Sequence, residues 1–309
     1  MFHRIWATKA KIAVGSVLVL GLWACEGREQ PAPPSAETGA SASEIAPAPQ
    51  GPAVGSIEWA LAGDWRVAPE RDAWRHPAET LAFFGVKPDQ TVVEIWPGGG
   101  WYTNILAPWL ASGGGKLVAV LFSPQGIDDA ERVERIETNN AKFKSNYTDP
   151  AFGTIDYSGF SANSGPLTEP GTADAVLTFR NIHNWMAGGY EQKFFDEAYA
   201  ALKPGGVLGV VEHRLPSTAM QDPEAASGYV HEDYVKTLAA NAGFEFAGSS
   251  EINANPADTA DHPFGVWTLP PVSNQPKEGE EAPEGWDPEA YKAIGESDRM
   301  TLKFIKPAE

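Results

Sequence analysis

The sequence contains very little cysteine and comparatively little positive charge. Cys25 is the only cysteine among 309 residues, so an internal disulfide is excluded and the fold must depend on its hydrophobic core. Lysine and arginine number 23 against 41 aspartate and glutamate residues, which gives a formal net charge of −18, and the basic residues form no cluster. A surface of this sign repels nucleic acids and anionic lipid head groups, so we expect no nucleic-acid partner.

Several motifs of catalytic sites are missing as well. No serine stands in a G-x-S-x-G sequence, and the G-x-G-x-x-G fingerprint of dinucleotide oxidoreductases does not occur. Residues with the chemistry of metal ligands are found at His183, Glu212-His213, His231-Glu232 and Asp261-His262. None of these pairs has the i, i+4 helical spacing or the C-x-x-C spacing typical of zinc sites, so we predict no metal.

The N-terminus has the pattern of an export signal. Three basic residues precede an apolar run at residues 12–24, which is shorter than the roughly 20 residues that span a bilayer and is typical of a signal peptide at residues 1–24. The run ends in "LWAC", which resembles the lipobox of bacterial lipoproteins and implies lipidation of Cys25. The alternative is an uncleaved anchor with an incidental buried thiol.

Residues 25–56 are rich in proline, alanine, serine and glycine and predict a disordered tether. Cleavage before Cys25 would remove three basic and no acidic residues, which changes the formal charge from −18 to −21. By its resemblance to lipoproteins, Glu26 favours onward transport. We therefore expect an exported periplasmic lipoprotein, held at the outer membrane by its lipid alone, and leave its oligomeric state open.

Residues 57–309 read as one α/β domain. Hydrophobic runs that predict strands alternate with helical patterns, which indicates a parallel sheet with right-handed crossovers. Strands are expected at 91–96, 116–122, 173–179, 207–213, 244–252 and 300–306, and helices at 76–86, 101–111, 128–143, 190–202 and 231–243. A long insertion at 254–295 separates the last two strands. We expect its first half to pack and its second half to be solvated.

The stretch "VVEIWPGGGWYT" at residues 92–103 joins a buried strand to a helix through a glycine-rich turn. Such a turn leaves backbone N–H groups and a helix N-terminus at the carboxyl edge of a sheet, where ligands bind. The alternative is a tight strand-to-helix connection with no ligand.

The order of these parts resembles the class I S-adenosylmethionine-dependent methyltransferases. Glu94 ends the first strand, Gly98 and Gly100 follow, and "LKPGG" precedes a later strand; the resemblance covers about residues 75–253 and the final strand. A bacterial group of predicted methyltransferases is also similar at "EIWPGGGWYT", "FRNIHNW", "HPFGVWTLPP" and "SDRMTLKFIKP". The resemblance implies a doubly wound, mostly parallel, seven-stranded Rossmann-like sheet with an antiparallel last strand, and S-adenosylmethionine as cofactor.

Carried over by position, Glu94 matches the acidic residue of the family's E/D-x-G-x-G-x-G motif, and Gly98 and Gly100 match its second and third glycines, while Trp96 occupies the first. The candidate cofactor-binding residues are therefore Glu94, Trp96, Pro97, Gly98, Gly99, Gly100, Tyr102 and Ser123. Because a residue before proline is pushed to extended backbone, we predict that Trp96 avoids positive φ and that its indole extends the pocket wall.

Leu121 is a second departure from the family pattern. It ends the second strand, where these enzymes usually place an acidic residue that holds the ribose hydroxyls. Losing a hydrogen bond to a charged group costs about 1.5–3 kcal/mol, so the resemblance implies weaker binding. Ser123, Asp128 or Asp129 are candidates to compensate.

Candidate catalytic residues follow the strand at 173–179. His183 is either a general base, since its unperturbed pKa is near neutrality, or a loop histidine that braces the next helix. Arg180 either orients an anionic substrate or pairs with Glu94 or Glu212. A sulfonium would also be attracted to the indole faces of Trp96, Trp101 and Trp185, although each is also a candidate for core or rim packing.

Two functions follow from the sequence. The first is methyl transfer to an unidentified small-molecule or envelope acceptor. The alternative is a non-catalytic lipoprotein that keeps the fold and binds another ligand, because S-adenosylmethionine is made in the cytoplasm and Leu121 departs from the motif.

Overall fold

The computed structural model describes residues 51–308. The predicted signal peptide, the lipidation site Cys25 and the tether up to residue 50 lie outside the described residues. Among the described residues, no helix combines the length and the apolar character needed to cross a bilayer.

The described chain forms a seven-stranded sheet with the order β3-β2-β1-β4-β5-β7-β6. Strand β7 runs antiparallel to both of its neighbours, and all other pairs are parallel. The strands are β1 (Thr91–Ile95), β2 (Lys116–Phe122), β3 (Ile155–Phe160), β4 (Ala173–Phe179), β5 (Leu202–His213), β6 (Glu245–Ser250) and β7 (Arg299–Ile305). This confirms the predicted doubly wound, mostly parallel sheet with an antiparallel last strand.

Helices cover both faces of the sheet. They are α1 (Ile57–Leu61), α2 (Asp72–Arg75), α3 (Pro77–Phe84), α4 (Thr103–Gly113), α5 (Ala130–Ser145), α6 (Ile182–Gly188), α7 (Glu191–Ala201), α8 (Glu232–Asn241) and α9 (Pro288–Ile294). Helix α3 shows how local sequence sets the bounds: Pro77 occupies its first turn, and Gly85 ends it in a left-handed conformation at φ 78°.

The core has two halves, one on each face of the sheet. In β1, Val92 packs with the helices α3 and α4, whereas Val93 and Ile95 pack with the helices α6 and α7 on the other face. This alternation follows from the two-residue period of a strand, and both faces are apolar because helices cover both.

The chain changes direction between β1 and β4, which are neighbours in the sheet although they are distant in sequence. Doubly wound sheets bind ligands outside the carboxyl ends of their strands at such a point. Asn181 fixes the junction, because its side-chain amide donates to the Ile95 carbonyl oxygen at 3.1 Å. The insertion at 254–295 reaches this edge with Val266 and Leu269 buried, while most of residues 271–293 are exposed.

Candidate functional site

Two cavities open at the carboxyl edge of the sheet. They meet at the loop of residues 96–100 that follows β1, here called the glycine loop. The first, here called the arginine cavity, has a volume of about 430 Å³ and lies between β1, β4, the segment before α3 and the insertion. The second, here called the α5 cavity, has a volume of about 610 Å³ and lies between the loop, the end of β2 and α5. Both volumes are typical of small-molecule sites. The residues that line both are Trp96, Pro97, Gly98, Gly99, Asn181 and Asn184.

The glycine loop keeps backbone donors available. Gly100 N–H donates to the Pro97 carbonyl oxygen at 2.9 Å and closes a tight turn, but within residues 51–308 the amides of Gly98 and Gly99 donate to no protein acceptor. A Cβ atom on either glycine would meet no heavy atom within 4 Å. Gly98 and Gly99 therefore leave both donors and space beside the cavities.

Trp96 contradicts the backbone prediction. Its φ is 45°, in the left-handed region that a glycine would adopt, although proline follows it. The side chain stabilises this conformation, because the indole Nε1–H donates to the Phe160 carbonyl oxygen at 3.1 Å and the ring stacks on Phe122 with centroids 3.6 Å apart. The indole is 7% exposed and forms a wall shared by both cavities.

Glu94 is buried at the end of β1 and borders the arginine cavity. Thr103 Oγ1 lies 2.6 Å from its Oε2. Burial raises the pKa of Glu94 to about 7, and the hydrogen bond with Thr103 acts in the opposite direction. The carboxyl group therefore changes its charge near neutral pH.

Two further loop residues have packing roles. A Cβ on Gly100 would lie 1.9 Å from Tyr147 Oη, so glycine is required where α5 approaches the loop. Gly100 lines neither cavity. Tyr102 lines the arginine cavity and stacks on Phe179 with centroids 3.6 Å apart.

Leu121 is buried and lines the α5 cavity at the end of β2. None of the three proposed compensating groups borders either cavity, and Asp128 is exposed. Ser123 lines neither cavity and its Oγ accepts from Gln125 N at 3.2 Å, while Asp129 accepts from Arg132 N at 3.0 Å and caps α5. Most polar groups that border this cavity come instead from α5 and the residue that follows it, and Asn181 and Asn184 also border it. The residues from α5 and its C-terminal end are Arg132, Arg135, Asn139, Asn140, Lys142 and Asn146.

His183 lies in α6 and lines the arginine cavity. Its Nδ1 is 3.1 Å from Oε1 of the fully buried Glu212, so the side chain hydrogen-bonds to β5. Glu212 is itself held, because it accepts from Ile182 N at 2.6 Å and from His213 N at 2.9 Å. In the neutral ring, an Nδ1–H that donates to Glu212 leaves Nε2 as a proton acceptor.

His213 completes a cluster of three of the residues that have the chemistry of metal ligands, for which the sequence predicts no metal site. The cluster consists of three potential metal ligands, each with one ligand atom within 4.8 Å of the others: His183, Glu212 and His213. Histidine and glutamate are ligands that divalent metals accept. However, both oxygens of Glu212 already accept hydrogen bonds. Burial and the adjacent His183 and Arg180 lower the pKa of His213 well below its ordinary value. The positive surroundings disfavour a cation there.

Four arginines surround Glu296, and only Arg180 among them is a candidate site residue from the sequence. Glu296 accepts from Arg71 Nε at 2.6 Å, from Arg75 Nε at 3.0 Å and from Arg299 Nη1 at 3.1 Å. Arg71 and Arg75 are spaced i, i+4, a signal that would have placed both on one helical face. Their partner Glu296 is more than 220 residues away in sequence, so no local pattern could reveal it.

Arg180 pairs with neither Glu94 nor Glu212. Within residues 51–308 its ion-pair partner is Glu296, with Nη1 to Oε2 at 3.6 Å, which is too long for a hydrogen bond. The residue has φ 63°, a strained conformation for a large side chain, and borders the arginine cavity. The alternative in which it pairs with Glu94 or Glu212 is wrong.

The tryptophans predicted as candidate sulfonium contacts are mostly buried or already in contact with other side chains. Trp185 is fully buried, and the Trp101 ring already faces the Arg75 guanidinium at 4.7 Å. Trp267, which the sequence analysis expected only to pack, borders the cavity, and its ring centroid is 5.9 Å from that of His183.

No protein-family model and no curated protein matches this sequence. Solved structures that it resembles include a SAM-dependent methyltransferase from Aquifex aeolicus, with 19% identity over 60% of this chain and 88% of that chain and a TM-score of 0.44. Another from Methanosarcina mazei has 13% identity, covers 74% of this chain and 97% of that chain, and has a TM-score of 0.43. The [4+2]-cyclase SpnF has 16% identity, 80% and 86% coverage, and a TM-score of 0.48. The fold assignment therefore rests on the strand order.

Proposed function

We propose that the chain is a class I S-adenosylmethionine-dependent methyltransferase that acts on a small-molecule or envelope acceptor. One observation carries the proposal: the unpaired amides of Gly98 and Gly99 lie at the junction of two cavities, at the point where the sheet changes direction. A two-substrate reaction needs adjoining sites that share the reacting centre.

The residues at the loop fit the cofactor. Gly98 and Gly99 would donate to its methionine part, and the α5 cavity would hold the nucleoside against Leu121 and Phe122. When bound, S-adenosylmethionine supplies an electrophilic methyl group.

The acceptor would enter the arginine cavity, where His183 is placed to take a proton from its hydroxyl or amine at Nε2. Glu212 orients the ring and stabilises the charge that it gains, as a buried carboxylate does for a general base.

Calorimetric titration of the purified chain with S-adenosylmethionine and S-adenosylhomocysteine tests the proposal. Gly99→Ala is the informative variant, because its Cβ meets open space and its backbone is not in the left-handed region. We expect this variant to bind both ligands at least about tenfold more weakly without a lower Tm. Gly165→Ala has the same local freedom and lines neither cavity, so it should change neither quantity.

A second candidate is supported by Leu121 and Ser123. The first is aliphatic and the second is turned away from the α5 cavity, so the end of β2 offers no acidic group for ribose hydroxyls. A non-catalytic binding protein that takes another ligand would fit these residues. Absence of saturable heat at millimolar S-adenosylmethionine would favour this candidate and overturn the first.

A further inference from the structure

The arginine cavity carries more positive charge than its carboxylates balance. Besides the tyrosine Tyr102, the titratable groups that border it are Arg71, Arg75, Arg180, Glu94, Glu296, His183 and His213, with Arg299 directly behind Glu296. The single carboxylate of Glu296 faces four guanidinium groups. The other carboxyl group, Glu94, is partly protonated near neutrality because burial raises its pKa to about 7. Buried charge without a partner is costly, so the excess calls for an anion.

Some of the hydrogen-bonding capacity of these arginines is unused. Arg71 Nη2 is buried without a protein partner, and the Arg180 guanidinium makes no hydrogen bond within residues 51–308. Arg75 is 2% exposed and uses its Nε for Glu296. Guanidinium groups bind carboxylates and phosphates through paired N–H donors, which are the donors left over here.

Neighbouring pKa values agree with an unbalanced positive field. Burial and the adjacent Arg180 lower the pKa of Arg75, and the same arginine contributes to the lowered pKa of His213. A bound anion would oppose both shifts, because it would stabilise the charged forms.

The remaining walls are apolar and largely aromatic. They are formed by Trp101, Tyr102, Phe179, Trp267, Pro270 and Pro271. A cavity with a cationic end and aromatic walls is suited to a molecule with an acidic group and a flat or apolar body.

We propose that the arginine cavity binds the methyl acceptor through a carboxylate or phosphate group, with Arg180 as the direct contact and Arg71 and Arg75 beside it. The aromatic walls pack against the body of the acceptor. This inference rests on the proposed methyl transfer, because it names the chemical class of the acceptor in that reaction.

The test uses benzoate and phenyl phosphate as anionic probes and benzamide as the neutral analogue of benzoate. Each is titrated calorimetrically into the purified full chain at low ionic strength. We expect saturable binding of at least one anion and at least about tenfold weaker binding of benzamide, since a hydrogen bond to a charged group contributes about 1.5–3 kcal/mol. The two anions distinguish a carboxylate from a phosphate as the preferred group.

Arg180→Gln should weaken binding of the anion at least about tenfold. It should leave the Tm of the unliganded protein unchanged or raised, because the guanidinium makes no hydrogen bond within residues 51–308 and the backbone hydrogen bond to Val211 is kept. Lys277→Gln removes the same charge from an exposed position and should have no effect. Equal binding of benzamide and benzoate, equal binding by Arg180→Gln, or no anion binding would each overturn the inference.

A final titration separates this inference from the proposed function. We expect the anion to bind also when S-adenosylhomocysteine is saturating. Competition between the two would mean that the arginines hold the carboxylate of the cofactor, which overturns the acceptor assignment. Anion binding without any binding of S-adenosylmethionine would overturn the methyl-transfer proposal and leave an anion-binding cavity.

Discussion

Trp96 shows that a side chain can support a backbone conformation usually reserved for glycine. A left-handed conformation costs a non-glycine residue about 1–2 kcal/mol. The indole offsets this cost through its hydrogen bond to Phe160 and its stacking on Phe122, so the loop keeps the course that a glycine would allow. The indole also lines both cavities, which a glycine has no side chain to do.

Restoring glycine at this position should therefore destabilise the protein. Trp96→Gly relieves about 1–2 kcal/mol of backbone strain but removes a buried indole, which costs about 3–5 kcal/mol in comparable truncations. We expect the free energy of unfolding in urea to fall by about 1–4 kcal/mol, the difference between these two effects. An unchanged or increased stability would show that the indole is not what holds the loop.

Glu212 determines which ring nitrogen of His183 carries the proton. Its carboxylate accepts from the Ile182 amide, the His213 amide and His183 Nδ1, and a glutamine in its place offers one oxygen for these three donors. Glu212→Gln should lower the free energy of unfolding by about 1–3 kcal/mol and redistribute the proton between the two ring nitrogens. Nitrogen-15 NMR of His183 measures the tautomer, and an unchanged tautomer would refute the orienting role.

The junction of β1, the glycine loop and α4 depends on close approach to α5. Gly100 has φ 83°, and a Cβ there would lie 1.9 Å from Tyr147 Oη and 3.1 Å from its Cζ. We expect Gly100→Ala to lower the thermal midpoint, in contrast to Gly99→Ala, for which there is open space. Circular dichroism melts of the two variants provide the comparison.

Tyr147→Phe should partly rescue Gly100→Ala. The substitution removes the oxygen that a Cβ would contact, while the left-handed strain at residue 100 stays. The double variant should therefore be more stable than the sum of the two single effects implies. Strict additivity would mean that contact with the tyrosine oxygen is not what makes glycine necessary at position 100.

Helices and strands were predictable where their patterns are strong. The apolar runs of β1, β2 and β4 identify them, because both of their faces are buried. Strand β3 was not located, since "IDYSGF" lies at the sheet edge and only its two ends are buried. Helix α6 was missed because its seven residues are too few to establish a periodicity.

The candidate site was predictable only in part, for a similar reason. Glu94, Gly98 and Gly99 lie in one continuous motif, and Arg180 and His183 follow one strand. Arg71 and Glu296 are 225 residues apart and meet only because the insertion returns the chain to β7 beside the segment that precedes α3. Contacts of that separation depend on tertiary packing and leave no local signature.

The whole chain also carries a predicted lipid anchor, which the described residues do not include. If Cys25 is lipidated, cells fed radiolabelled palmitate should label the wild-type protein and fractionation should find it in the outer membrane. Cys25→Ser should lose the label and leave the membrane fraction. Retention of the label in this variant would contradict the lipobox interpretation.

The stability of the folded molecule depends on two buried groups at the site with opposite responses to pH. The pKa of Glu94 is raised from 4.5 to about 7, so its contribution is complete below about pH 4.5 and is lost as the pH rises through about 7. The pKa of His213 is lowered from 6.5, so its contribution is present above about pH 6.5 and is lost as the pH falls. Between pH 5 and 7 the two effects oppose each other.

Single variants should separate these two contributions. In Glu94→Gln only the histidine effect remains. When the pH is lowered from 7 to 5, the free energy of unfolding of this variant should therefore fall relative to that of the wild type. The size of the Glu94 shift sets this difference on the order of 2–3 kcal/mol. His213→Gln leaves the carboxyl effect, so its stability should rise. Burial also raises the pKa of Glu197, but this group is the same in both variants and cancels from the comparison. Urea unfolding at pH 5, 6 and 7 measures the slopes, and parallel slopes in the two variants would show that neither group titrates in the folded protein as its burial requires.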